Sequence, residues 1–296
     1  MPQQADGPTR LERDSMGELQ VPAGAFYGAN SQRAKLNFPI SDLKFNRSFI
    51  KAMGQIKQSA SRVNRDLDSL EPELGAAIDA AAQKVIDGEY DDQFVVDIFQ
   101  TGSGTSTNMN TNEVISNVAI SALGGELGSR DPVHPNDHVN KGQSSNDVIP
   151  TAIHLAAAGA IKERLLPAMA ELENALRAKS EEFWPIIKTG RTHLQDATPI
   201  RLGQEFSGYV GQLEYGQQRA AKALAELSVL AIGGTAVGTG IGMHPEFADR
   251  MIVQLKEMTG LDLSETANHF QSQSSLDAIV EASGSLKTIA VSLMKI

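Results

Sequence analysis

The chain has 296 residues, 41% of them hydrophobic and 21% charged, which excludes a disordered polypeptide and leaves room for one large domain or two ordinary ones. Asp and Glu total 36 against 26 Lys and Arg; the net charge of −10 argues against nucleic-acid binding but not against a local pocket for a small anion. Cysteine is absent, so disulfides, thiolate metal centres and cysteine nucleophiles are excluded. The polar opening, Met1 to Arg10, contains Pro2 and Pro8 and no signal-peptide core, and no apolar run approaches a membrane span. A cytoplasmic protein with no membrane partner is expected.

In chain order, Leu11 to Val21, broken by Ser15-Met16-Gly17, reads as a small hairpin. Phe49, Met53, Ile56, Ala60, Val63 and Leu67 then alternate steps of four and three, the spacing of one helix face. Glu71 to Ile86 is an alanine-rich second helix, and Val114 to Leu123 a third, closed by Gly124-Gly125. Pro150 is expected to open a long helix in which Leu165, Met169, Leu172 and Leu176 keep the heptad step to about Phe183, with Pro167 as a kink. Leu202, Phe206, Tyr209 and Leu213 start another, running towards Leu230. Phe247, Met251, Leu255 and Met258 mark a shorter one. Ile279, Ala282, Leu286, Ile289, Leu293 and Ile296 form a last stripe that no Gly, Asn or Pro closes, so truncation or docking on a partner is expected there. The periodicity predicts a mainly α protein with a bundle of long helices, of a kind that often packs between subunits.

Three polar segments stand out from these stripes. Gln100 to Glu113 is almost wholly small hydrogen-bonding side chains around Gly102 and Gly104, and it leads into the helix expected at Val114. Free amides at a helix N-terminus bind anions, although a loop of this kind also serves simply to cap a helix. His134 to Asp147 contains Ser144, Ser145 and Asn146 just ahead of Pro150. Its His134 and His138 have no third histidine nearby, and Pro135 argues against a continuous helix through the pair, so no metal site is expected. Gly190 to Pro199 separates two long helices where a short connection would suffice; its His193 titrates near neutrality and moves protons, and Thr192 and Gln195 can orient a ligand. A fourth segment, Gly233 to Gly240, is glycine-rich but lacks the Gly-Lys-Ser/Thr ending of a phosphate loop, so no nucleotide cofactor is expected. Three donor-rich turns at helix ends could converge on one small dianion.

In this order the segments resemble the fumarase/aspartase superfamily from about Arg10 to Ile296, and in detail its class II fumarases. Arg13-Asp14-Ser15-Met16-Gly17 resembles the fumarase opening, Ser144-Ser145-Asn146 its Ser-Ser-Asn where aspartases have Ser-Thr-Asn, and His193 its histidine where aspartases carry Gln. Gly233-Gly234-Thr235 also follows the fumarase form. The resemblance implies a fumarase/aspartase-like fold, with an N-terminal lyase domain over residues 1–140 and a central helical bundle, incomplete, over 141–296. It implies fumarate hydration in a homotetramer whose sites are shared by three subunits, with no cofactor and no metal. Ser103, Gly104 and Thr105 would hold a substrate carboxylate, with Ser144, Ser145 and Asn146 from another subunit. Thr192 and His193 would come from a third, with His193 activating water. His134, Pro135, Asn136 and Asp137 match a second anion site.

Two departures stand against it. The family's Gly-Ser-Ser-x-Met-Pro-x-Lys-x-Asn loop does not occur, and Gly242-Met243 stands where fumarases have Asn-Thr. The alternatives are another lyase of the superfamily, acting on aspartate or argininosuccinate, and a non-catalytic helical oligomerisation fragment.

Overall fold

The structure is a computed structural model and describes residues 7–296, so most of the polar opening lies outside the described residues. In chain order the elements are β1 (Thr9–Asp14), β2 (Gly17–Pro22), α1 (Ala29–Asn37), α2 (Arg47–Asp66), α3 (Pro72–Asp87), α4 (Thr105–Ala122) and α5 (Ser145–Ala160). There follow α6 (Leu166–Glu182), β3 (Ile187–Thr192), β4 (Gln195–Arg201), α7 (Leu202–Leu227) and β5 (Val229–Leu230). The last are α8 (Phe247–Thr259), β6 (Ser264–Glu265), α9 (His269–Ser274) and α10 (Asp277–Lys295). The protein is mainly α, as its periodicity predicts. Among the described residues no helix is long and apolar enough to cross a membrane.

Two compact units form, Met1–Ala156 with Ser228–Leu276, and Ala157–Leu227 with Asp277–Ile296. The first unit reaches past residue 140 and takes back the stretch after α7, so these units and the division implied by the resemblance do not coincide.

In the first unit the expected hairpin is present, with Asp14 opposite Gly17 at its turn. Asp14 accepts the Met16 N–H at 2.8 Å and the Arg33 Nε–H at 2.6 Å. The Arg33 guanidinium holds the Asp14 carboxyl below its ordinary range. Asn46 caps α2 by accepting the Phe49 N–H at 3.1 Å, and the stripe Phe49, Met53, Ile56, Ala60 and Val63 is buried. Burying each larger member of it contributes roughly 2 kcal/mol. Helix α3 starts at Pro72 and stops at left-handed Gly88, the asymmetry such ends favour. Its Ile78 and Val85 join Val114, Ile115, Val118 and Ile120 of α4 in one core.

Two helix starts differ from expectation. Helix α4 begins at Thr105, nine residues before Val114, because its early polar side chains are buried and bonded. Asn110 Nδ2 donates to the Gln93 carbonyl and its Oδ1 accepts the Val95 N–H, while Thr111 Oγ1 donates to the Thr107 carbonyl. Helix α5 begins at Ser145, so Pro150 lies inside it. Its start is capped by two side chains: the Ser144 N–H donates to Asp147 Oδ1 at 2.9 Å, and the Asn146 N–H to Ser144 Oγ at 3.3 Å.

In the second unit α7 packs between α6 and α10. Gly216 permits the approach: a Cβ there would lie 2.7 Å from Met169 Cε and 3.4 Å from Ile289 Cγ1. The buried row of α7 is Gly203, Val210, Leu213, Gly216, Ala220, Ala223 and Leu227; of the four stripe residues expected, Leu213 alone belongs to it. Phe206 instead packs edge-on against Phe183 and Tyr209. Helix α7 ends at Leu227; Val229–Leu230, already part of the first unit, is extended and pairs in parallel with Ser264–Glu265 of that same unit. On α6 Met169 is buried while Leu172 is exposed, and a wide helical turn over Ile161–Leu165 precedes Pro167. On α10 Ala282 and Ile289 are buried, whereas Leu286, Leu293 and Ile296 of the same stripe are exposed.

Candidate active site

Gly104 sits at the N-terminus of α4 with a left-handed φ of 70°. A Cβ at this position would lie 3.0 Å from the Ile149 side chain, so both backbone and neighbour favour glycine. The turn presents Ser103 and Thr105, both exposed, with their hydroxyls 2.9 Å apart. Gln100 ties the turn down, its Oε1 accepting the Thr107 N–H at 2.9 Å. Gly104→Ala is expected to cost about 1–3 kcal/mol and to displace Ser103 and Thr105. The urea midpoint measures this, and an unchanged midpoint contradicts it.

The first and second motifs meet within one chain. Asn108 Nδ2 donates to Ser145 Oγ at 3.0 Å and to Asn140 Oδ1 at 3.2 Å. Asn108, buried one turn inside α4, thus links the N-terminal turns of α4 and α5 within the first unit. Ser144, Ser145 and Asn146 are half-buried there, and Asn146 Nδ2 donates to the Ala236 carbonyl at 2.7 Å. The positive ends of two helix dipoles lie close together, which favours an anion.

The glycine-rich fourth segment is an anion cradle of another kind. The N–H groups of Gly233 and Thr235 donate to Asp147 Oδ2 at 3.2 and 2.9 Å, so the chain's own carboxylate occupies the loop. Asp147 is fully buried, and burial raises its pKa to about 6 against the lowering effect of three N–H donors and of Lys57. A group whose folded pKa exceeds its unfolded value of 3.8 binds extra protons in the folded state between those values, so stability falls as pH rises from about 4 to about 6. Asp147→Asn lacks this slope. The stability of the wild type relative to the variant is expected to fall by about 3 kcal/mol between pH 4 and pH 7, read from urea midpoints; parallel pH profiles contradict it. Gly242, which stands where fumarases have Asn, has a φ of 82°, the left-handed region that Gly and Asn both enter readily.

His134 and His138 bind backbone. His134 precedes a single helical turn over Pro135–Val139, which Pro135 opens rather than prevents, being its first residue. His134 Nδ1 accepts the Asn136 and Asp137 N–H groups at 3.3 and 3.1 Å, and His138 Nδ1 accepts the His134 N–H at 2.9 Å. Asp137 Oδ2 also lies 3.2 Å from His134 Nδ1. Burial, followed by the neighbouring His134, lowers the pKa of His138. Pro135 is buried, Asn136 and Asp137 are exposed. Among the described residues no three His, Cys, Asp or Glu are grouped to hold a metal ion.

The third motif is a β-hairpin rather than a loop, with Thr192 paired to Gln195 across a two-residue turn of His193 and Leu194. Both turn residues are left-handed, φ 49° and 64°, in positions that usually take Asn-Gly. Two successive side-chain-bearing residues in that region cost about 1–2 kcal/mol each, a strain that projects His193 into solvent. Leu194 is 90% exposed and Thr192 and His193 are exposed beside it.

Besides Asp147, a second buried charge beneath the first two motifs is not marked by the sequence motifs. Lys57 of α2 is fully buried, its Nζ donating to Asn108 Oδ1, Asn140 Oδ1 and Gln143 Oε1 at 2.8, 2.8 and 3.0 Å. Burial lowers its pKa to about 7, opposed by Asp147. The available signal was its position, four residues after Met53 and three before Ala60 on the apolar stripe.

The chain is 55% identical over 270 residues to a protein named class II fumarate hydratase from Halobacterium salinarum, covering 91% of this chain and 57% of that one. Among solved structures it resembles a class II fumarase from Schistosoma mansoni, with TM-score 0.95, 38% identity and coverage of 97% of this chain and 64% of that one. It also resembles a fumarate lyase:delta crystallin from Brucella melitensis, with TM-score 0.94, 42% identity and coverage of 97% and 63%. The chain therefore spans about 60% of the length of the relatives it matches, and the fumarase/aspartase-like fold expected from the resemblance is the fold of these neighbours. A family model described as lyase matches residues 17–296, and the chain belongs to that lyase family.

Proposed function

We propose that the protein is a fumarate hydratase, adding water across the double bond of fumarate to give malate. The observation that carries this reading is the joining of two donor-rich helix starts, Ser103–Thr105 and Ser144–Asn146, through the Asn108–Ser145 hydrogen bond. The relatives named fumarate hydratase support it. Attack of water on one alkene carbon places charge on the carboxylate attached to the other, as an aci-carboxylate. Donors fixed before reaction, on Ser103, Thr105, Ser145 and Asn146 and on the α4 and α5 amides, stabilise that charge more strongly than the ground state. His193 takes the proton from water as the C–O bond forms, with Thr192 beside it, and a second acid then protonates the adjacent carbon. In this reading the His193 hairpin reaches the site from another subunit of a homotetramer, and His134 Nε2–H with Asn136 offers a second anion site at the rim.

The test is a substrate panel on purified protein expressed from its complete reading frame. Conversion of fumarate to malate, with no ammonia release from aspartate and no cleavage of argininosuccinate, is the expected result. Turnover of either of the other substrates instead contradicts it, and no turnover of any substrate favours the oligomerisation fragment.

A further inference from the structure

Lys57 has three ammonium hydrogens and three side-chain amide oxygens around it, those of Asn108, Asn140 and Gln143. An amide whose oxygen faces an ammonium must turn its nitrogen away, and all three do. Asn140 Nδ2 donates to the Gln143 carbonyl at 3.2 Å, and Gln143 Nε2 to the Val139 and Lys141 carbonyls at 3.2 and 3.1 Å. The two Asn108 Nδ2 hydrogens are thereby directed to Asn140 Oδ1 at 3.2 Å and to Ser145 Oγ at 3.0 Å. A hydroxyl that accepts a hydrogen bond from beneath keeps its own hydrogen for a partner on the other side. The half-buried Ser145 thus becomes a donor toward whatever occupies the helix N-termini.

We propose that Lys57 is a positioning residue: through Asn108 it fixes the Ser145 hydroxyl as a hydrogen-bond donor to a substrate carboxylate. The inference rests on the reading of Ser144–Asn146 as part of the substrate site. Its chemistry is a relay of orientation, not of protons. The ammonium sets the amide, the amide sets the hydroxyl, and no bond to hydrogen is broken.

Two variants test it in the complete protein. Asn108→Asp keeps the shape and gives Lys57 a carboxylate in place of an amide oxygen, but removes the Nδ2 donor. Ser145 then donates to the introduced carboxylate and loses its hydrogen for substrate. The expected result is a kcat/KM for fumarate lower by roughly 10- to 100-fold, with a raised KM and a native circular dichroism spectrum, although the donor to Asn140 Oδ1 is lost as well. Lys57→Met is expected to lose a similar factor, and Ser145→Ala combined with Lys57→Met to be no worse than Ser145→Ala alone, since both act on one hydrogen bond. Unimpaired turnover by Asn108→Asp overturns the proposal, even if Lys57→Met fails to fold, and so do multiplicative losses in the double variant. Wild-type silence on fumarate overturns the functional reading and this proposal together, whereas an active wild type with an unimpaired Asn108→Asp overturns this proposal alone.

Discussion

His193→Asn is expected to lower kcat for fumarate hydration by about a hundred- to ten-thousand-fold, the range spanned by general acid–base groups. Asn is the informative replacement because His193 holds a φ of 49° at a two-residue turn, and Asn is among the side-chain-bearing residues that enter this region most readily. The hairpin therefore keeps its shape while the imidazole is lost. His193 is exposed, so no packing goes with it. Steady-state kinetics on the complete protein, with circular dichroism to confirm the fold, make the measurement. A variant retaining more than about a tenth of wild-type kcat removes His193 from the chemistry.

The second large effect is on stability. Glu113 is buried in α4 and accepts hydrogen bonds from the N–H groups of Gly28, Asn30 and Ser31 at 2.9, 2.9 and 3.0 Å, from Asn30 Nδ2 at 2.9 Å, and from Ser31 Oγ. It fills the role of an N-terminal cap for α1 from a residue over eighty positions away. Glu113→Ala leaves several buried donors without an acceptor and is expected to cost about 3–5 kcal/mol. Glu113→Gln has nearly the same shape, but its Nε2 donors face donors, so it is expected to be nearly as damaging. Urea denaturation of both variants measures this. A mild Gln variant beside a damaging Ala variant would show that packing, not hydrogen-bond acceptance, is what Glu113 supplies.

The sequence was most legible where burial follows one period. The helix from Phe247 was readable because a single face of it is covered, and the α2 stripe from Phe49 to Val63 because its large apolar residues keep one period, although polar residues between them, Gln55, Gln58 and Ser59 among them, are buried as well. The first two turns of α4 were not. Thr105 to Thr111 is a run of β-branched and capping residues that local propensity assigns to loop, and only tertiary bonds to Gln93, Val95, Lys57 and Ser145 hold it helical. The hairpin of β3 and β4 was illegible for the opposite reason: most of it is exposed, so no apolar alternation marks its strands. On α7 the small residues Gly203, Gly216, Ala220 and Ala223 form much of the buried row, and a reading by large apolar side chains followed Leu202, Phe206 and Tyr209 instead.

In the site, Ser103–Thr105, Ser144–Asn146 and His193 were legible because polar runs interrupt helical stripes and resemble a known family. Lys57 and Asp147 were not, since nothing in a sequence marks a charged residue as buried except its place on an apolar face. Both prove to be the ionisable groups beneath the two helix starts.

The most direct test of the central reading is proton NMR of fumarate incubated with the complete protein in deuterium oxide. The expected result is loss of the vinyl signal and appearance of malate carrying one deuterium on the carbon next to the hydroxyl-bearing one, because solvent supplies both the hydroxyl and, through the enzyme's acid, that hydrogen position. A vinyl signal that persists at enzyme concentrations where the protein is folded would contradict it.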